Sequence, residues 1–296
     1  MVSNPVDHGA GEVGVPTVTD AAPDAATPGG GIAGLVRRHP QTSFWVLACA
    51  LSWWPGLLYL AGASPVPMAG FGPFLAAVVV LALTRGRPGL GRLFRSMVRW
   101  RVPILCYVAA LGLPVLISGA AVLATLASGA PAPPASAVAT WTDIPVSLLL
   151  ILLIPGLGGA WEEPGFRGYA LGGLERRYGF LLGPLVLGVL WVGWHLPLFL
   201  AGQILWPDVL VIIAASVVIA AVFHSARDSV LIAMILHATN NAVGGGYASQ
   251  LFEGRYSVVL GVFTAIGWWL AAGAIMWSVA RRGRASSGPL PVVGTA

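Results

Sequence analysis

Three short runs of this chain hold side chains that can do chemistry. In the first, Glu162 and Glu163 are adjacent, and Arg167 follows Glu163 by four positions. In the second, WVGWHLP, His195 stands in an apolar stretch, with Pro197 loosening the backbone just beyond it. In the third, ILHATNN, His237 is followed by Asn240 and Asn241. Helix positions four apart share a face, so His237 and Asn241 project together and Glu163 can pair with Arg167. Neighbouring positions point about 100° apart, which leaves Glu162 aimed separately, into the bundle. The Pro164-Gly165 step admits a second placement, with the two acids at a helix break, since proline favours a first helical turn. A carboxylate can take a proton from a water that an imidazole orients. A second histidine and a carboxamide can donate hydrogen bonds to the oxyanion of a tetrahedral intermediate. Brought together, these groups would hydrolyse a peptide bond without a covalent nucleophile.

The elements that must position them are membrane helices. Of the 296 residues 57% are hydrophobic and 9% charged, with mean hydropathy +0.82. A soluble domain carries about 25% charged residues, so a water-soluble enzyme is excluded. A bilayer-spanning helix needs about 20 apolar residues, and lipid cannot satisfy an open backbone. The sequence therefore predicts an all-α polytopic bundle of about eight transmembrane helices, at 44–62, 68–84, 103–127, 144–162, 181–203, 207–223, 229–247 and 256–279. Trp45, Trp53, Trp54, Trp100, Trp141, Trp206 and Trp277 fall near span ends, where indole favours the interface. Ionisable groups at bilayer depth are expensive and point to function. Glu162 and Glu163 close the fourth span in this reading, and His195 and His237 lie within the fifth and seventh. His39 and His224, at polar ends, carry no such signal.

Residues 1–43 read as a disordered tail, 44–280 as the transmembrane domain with its catalytic core at about 144–247, and 281–296 as a second tail. Fifteen of the sixteen arginines fall on one side of this topology and only Arg255 on the other. By the positive-inside bias both termini are cytoplasmic. The +5 charge thus orients an integral protein, of a bacterial plasma membrane, and does not imply nucleic acid. Cys49 and Cys106 lie in apolar runs, with no disulfide framework. With Glu162 at the cytoplasmic end of span four, the site is expected to open laterally or towards the cytoplasm.

The three runs together resemble the CPBP family of intramembrane proteases, which includes type II CAAX prenyl endopeptidases and Abi-like bacteriocin-processing proteins. Glu162-Glu163-Pro164-Gly165-Phe166-Arg167 meets its EExxxR motif, Trp191 to His195 its FxxxH motif with Trp for Phe, and His237 to Asn241 its HxxxN motif. The resemblance implies that Glu162 and His195 activate water, that His237 and Asn241 form the oxyanion site, and that Glu163 and Arg167 hold the first motif in shape. It implies a membrane-associated or lipidated peptide as substrate, and membrane lipid as surroundings. Trp191 is expected to change packing or substrate fit and leave the chemistry unchanged.

No cofactor is expected. The alternative is zinc held by Glu162, His195 and His237 with an open fourth position, although HExxH spacing is missing. Two rival classes are a non-enzymatic immunity or chaperone protein and a haem- or ion-conducting bundle using the two histidines. The second leaves the glutamates and Asn241 without a role.

Overall fold

The structure, a computed structural model, describes residues 31–286. Among these there is no strand, and the elements are helices throughout. A short helix α1 (Ile32–Arg38) leads into α2 (Pro40–Leu60), so the last third of the expected amino-terminal tail is helical. The remainder of that tail, residues 1–30, lies outside the described residues, as do 287–296. After α2 the chain turns back into the bundle, and Ala69 N–H donates to Ser52 O at 2.8 Å. Helix α3 (Gly72–Met97) therefore starts well below the end of α2, and residues 68–71 are a return loop instead of helix. It bends at Gly86 and is followed by α4 (Ile104–Ala127).

The expected 144–162 span is not one helix. The 135–153 stretch is helical as α5 (Ala135–Ala139), a 3₁₀ turn and α6 (Ile144–Leu153). The glycine-rich run 154–159 then breaks it, and helix resumes with a 3₁₀ turn at Ala160–Glu162, α7 (Glu163–Gly165), a π-helical stretch at Phe166–Ala170 and α8 (Leu171–Trp194). The fourth crossing is thus made in two pieces, and Glu162 and Glu163 open the second piece instead of closing the first. Gly156, Gly158 and Pro164 explain the break, since the two glycines take positive φ and the proline fits a helix start. Within α8 the chain reverses at Gly179, whose φ of 83° and ψ of 166° suit glycine alone. The fifth crossing, 180–194, consequently folds back along residues 171–178.

Short α9 (Leu196–Leu200), α10 (Trp206–Ser225), α11 (Val230–Asn240) and α12 (Arg255–Ser286) complete the chain, so the first residues of the expected carboxyl tail are helical too. A second π-helical stretch, Asn241–Tyr247, continues α11. Among the described residues seven helices are long and apolar enough to cross a membrane. The expected span at 229–247 is absent from that set because His237, the two asparagines and three glycines dilute its hydropathy. It is nevertheless helical from Val230 to Tyr247 and lies against α4, α6 and α10.

Two ends of the bundle are distinguishable by composition. At one end Arg99 bonds to the Arg227 carbonyl, Ser229 Oγ donates to the Arg99 carbonyl at 2.7 Å, and Arg37 Nε donates to Leu83 O at 3.0 Å. At the other end Tyr256 Oη donates to Gly129 O at 2.8 Å, and an apolar cluster joins Ala121, Ala248, Leu251, Phe252 and Leu260. Trp54, Trp100, Trp141, Trp206 and Trp277 are exposed, with Trp141 and Trp206 at helix starts. Trp45 and Trp53 turn inward instead. Trp45 stacks on Phe166 with ring centroids 5.6 Å apart, and Trp53 Nε1 donates to Trp194 O at 2.9 Å. Leu57, Leu60, Ile104, Leu105, Leu116, Leu123, Leu200 and Leu270 form an exposed apolar exterior, suited to lipid.

Candidate active site

Glu163 and Arg167 lie one turn apart, wholly buried, with Arg167 Nη1 to Glu163 Oε1 at 2.9 Å. The π-helical stretch begins after Gly165, yet this pairing survives. Arg167 Nη2 also donates to Ser216 O at 3.4 Å on α10. The same Glu163 Oε1 receives His237 Nδ1 at 2.7 Å from α11. One carboxylate oxygen thus ties three segments together. An ionised carboxylate only accepts, so His237 donates from Nδ1 and its Nε2 is left for other partners. That nitrogen lies against Gly159, where a Cβ would collide with the ring.

Glu162 makes a different set of contacts. Its Oε2 accepts the indole N–H of Trp191 at 2.7 Å, and Oε1 faces the backbone at Gly70. The two acids therefore have separate partners, as their adjacency requires. Trp191 is the residue whose part the sequence underrated. Besides holding Glu162, its ring lies 4.7 Å from the Arg167 guanidinium carbon and 5.2 Å from the His237 ring. Phenylalanine could fill the space but has no N–H. The Trp-for-Phe departure at this motif position was the available signal.

His195 is the residue at which α8 ends. Its Nδ1 lies 2.9 Å from the Trp191 carbonyl, which only accepts, so Nδ1 carries hydrogen and Nε2 is free to accept. Its ring packs edge-on to Trp194 at 4.9 Å. Trp194 is itself anchored through Nε1 to Ser52 Oγ at 3.1 Å.

Glu162, His195, His237 and Asn241 all line one cavity of about 720 Å³, with Asn240, Gly158 and Gly159. Asn241 Nδ2 approaches Gly158, so the amide sits beside the helix break. Glu163 and Arg167 do not line this cavity and stand behind it. Its other walls come from Gln203, Leu205 and Asp208 before and at the start of α10, and from Ser249, Ser257 and Thr264. These belong to the arginine-poor end. The cavity thus runs from the middle of the bundle towards that end.

Among the described residues no three His, Cys, Asp or Glu side chains converge as a metal-binding set. Trp191 already occupies one oxygen of Glu162, and each histidine has Nδ1 engaged. Both Nε2 atoms and Glu162 Oε1 remain open, which suits the donor chemistry of a metal, although the three side chains do not converge as a set in this arrangement.

Residues 144–243 match the protein-family model described as type II CAAX prenyl endopeptidase Rce1-like. Over 106 residues the chain is 29% identical to CAAX prenyl protease 2 of Methanococcus maripaludis, a match covering 32% of this chain and 37% of that protein. The chain therefore spans little more than a third of the length of the curated relative it matches. The matched region contains the 154–159 break, the reversal at Gly179 and every residue of the three motifs. Residues 144–243, about a third of the chain, are thus similar to the Rce1-like type II CAAX prenyl endopeptidases.

Proposed function

We propose that this protein is an intramembrane endopeptidase that hydrolyses a peptide bond of a membrane-associated or lipid-anchored peptide. The observation that carries this reading is the single cavity lined by Glu162, His195, His237 and Asn241. Glu162 takes the proton of a water whose other hydrogen bond goes to His195 Nε2, and the hydroxide attacks the scissile carbonyl. The developing oxyanion is met by Asn241 Nδ2. His237 can add a second donor, Nε2–H, when its ring carries both protons, a form whose charge Glu163 offsets. Glu162 then returns its proton to the leaving amine. Glu163 and Arg167 act behind the cavity by fixing His237 and the 162–167 turn.

The arginine-rich end is cytoplasmic in this reading, with both termini on that side of a bacterial plasma membrane. Substrate then reaches the cavity from the arginine-poor face or sideways from lipid. The matched relative is named for CAAX prenyl proteins, and a lipidated peptide is the substrate class to try first.

The test compares cleavage of a lipid-anchored peptide library by wild type and variants in detergent, with and without a strong chelator. Glu162→Ala and His195→Ala are expected to abolish cleavage in folded protein. Asn241→Ala is expected to lose about 10²–10³-fold, the usual effect of removing one oxyanion donor. Chelator is expected to have no effect. Inhibition by chelator with recovery on adding zinc would favour the metal reading of the same residues. Normal turnover by Glu162→Gln would overturn the assignment.

A further inference from the structure

The arginine-rich end contains a second cavity, of about 620 Å³, separate from the proposed active site. Seven arginines line it; Arg167 is paired with Glu163, and the other six guanidiniums come from Arg37 on α1, Arg85, Arg92 and Arg95 on α3, Arg99 just beyond α3, and Arg176 on α8. Among the described residues none of the six has a carboxylate within 4.0 Å. Two acids do line the cavity, but His224 engages both. Its Nε2 lies 2.8 Å from Glu175 Oε1 and its Nδ1 2.7 Å from Asp228 Oδ1. The positive-inside bias accounts for arginines at this end. It does not account for their convergence on one cavity whose own acids are turned to a histidine.

Arg37 and Arg99 are already held by backbone carbonyls of Leu83 and Arg227, so part of the wall is set before any ligand arrives. Like charges lining one cavity repel, and an anion with several acceptor oxygens would relieve that repulsion. Guanidinium presents a planar fork that fits phosphate oxygens two at a time. Exposed Trp100, and Trp277 under Arg281, mark the interfacial level at this end. We propose that the arginine-walled cavity between α1, α3 and α8 binds a phosphate-bearing anion. A phospholipid headgroup and a soluble phosphate share that chemistry, and the experiment separates them.

Purified full-length protein in phosphatidylcholine nanodiscs is titrated with inorganic phosphate and, separately, prepared with phosphatidylglycerol in the bilayer. The readouts are thermal midpoint and lipid retained in native mass spectrometry. Wild type is expected to be stabilised. Response to phosphatidylglycerol alone assigns a lipid headgroup, and response to inorganic phosphate assigns a soluble anion. The triple variant R85Q/R92Q/R95Q is expected to bind about tenfold more weakly, through loss of charge-assisted phosphate bonds. The triple variant R38Q/R87Q/R101Q removes the same charge outside the cavity wall and is expected to bind as wild type. If the first triple fails to fold, R85K/R92K/R95K keeps the charge and removes the forks, and weaker binding is expected from it. Equal loss in the two glutamine triples, unchanged binding by the lysine triple, or no response by wild type overturns the proposal.

Discussion

Glu162 and Glu163 show how one peptide bond of separation can divide two carboxylates between two jobs. Glu163 is sealed with Arg167 and His237, while Glu162 reaches the cavity on the Trp191 N–H. Spacing alone made the Glu163–Arg167 pair and the His237–Asn241 face legible, because both depend only on helical periodicity. The Glu163–His237 bond was not legible, since it joins residues 74 positions apart on separate elements. Two substitutions test this division. Arg167→Ala leaves Glu163 buried without its ion-pair partner, and breaking such a pair costs about 3–5 kcal/mol. Its yield of folded protein and its unfolding midpoint in detergent are expected to fall sharply. Trp191→Phe restores the family's motif residue but removes the donor to Glu162. A hydrogen bond to a charged group contributes roughly 1.5–3 kcal/mol. The variant is expected to stay folded and to lose about tenfold or more in turnover if that bond sets the carboxylate's position. Unchanged turnover would reduce Trp191 to packing.

At the scale of elements, the site is built where helices stop being regular. His195 ends α8, Asn241 begins a π-helical stretch, and Glu162 sits in a 3₁₀ turn just after the 154–159 break. Such irregularities often accompany functional sites in helical proteins. Hydropathy finds apolar length, and it located six of the eight expected spans closely. It read 144–162 as continuous because the run IPGLGGAW is apolar as well as broken, and only its glycines and Pro155 argue against helix. The Pro164-Gly165 step was the better guide, and the helix-break placement it allowed is the one observed. Gly159 deserves a direct test, because a methyl there collides with the His237 ring. Gly159→Ala is expected to push that ring out of line and to cut peptide cleavage strongly. The α-helical circular dichroism should remain. Full activity would mean that His237 does not need this position.

At the scale of the whole molecule, Arg37, Arg85, Arg92, Arg95, Arg99 and Arg176 gather at one end, and the proposed catalytic cavity runs towards the other. Arginine asymmetry was readable between the spans, but the direction of the cavity was not, because it depends on which loops fold inward. Cysteine labelling checks both. In a background lacking Cys49 and Cys106, Gln203→Cys lies at the cavity wall and Ser96→Cys at the arginine-rich end. A membrane-impermeant maleimide applied to intact cells is expected to modify the first and to reach the second only after permeabilisation. The reverse pattern would invert the orientation while leaving the chemistry of the site intact. The broken fourth crossing also changes the bilayer's own problem. The helical stretch 135–153 has 19 residues, about 28 Å at the usual rise, and ends at the glycine-rich break beside the site. Beside it the exposed glycine backbone of 156–158 requires polar company. The exposed backbone at 154–158 is therefore the point where an otherwise apolar wall becomes wettable, directly beside the 160–162 turn that carries Glu162.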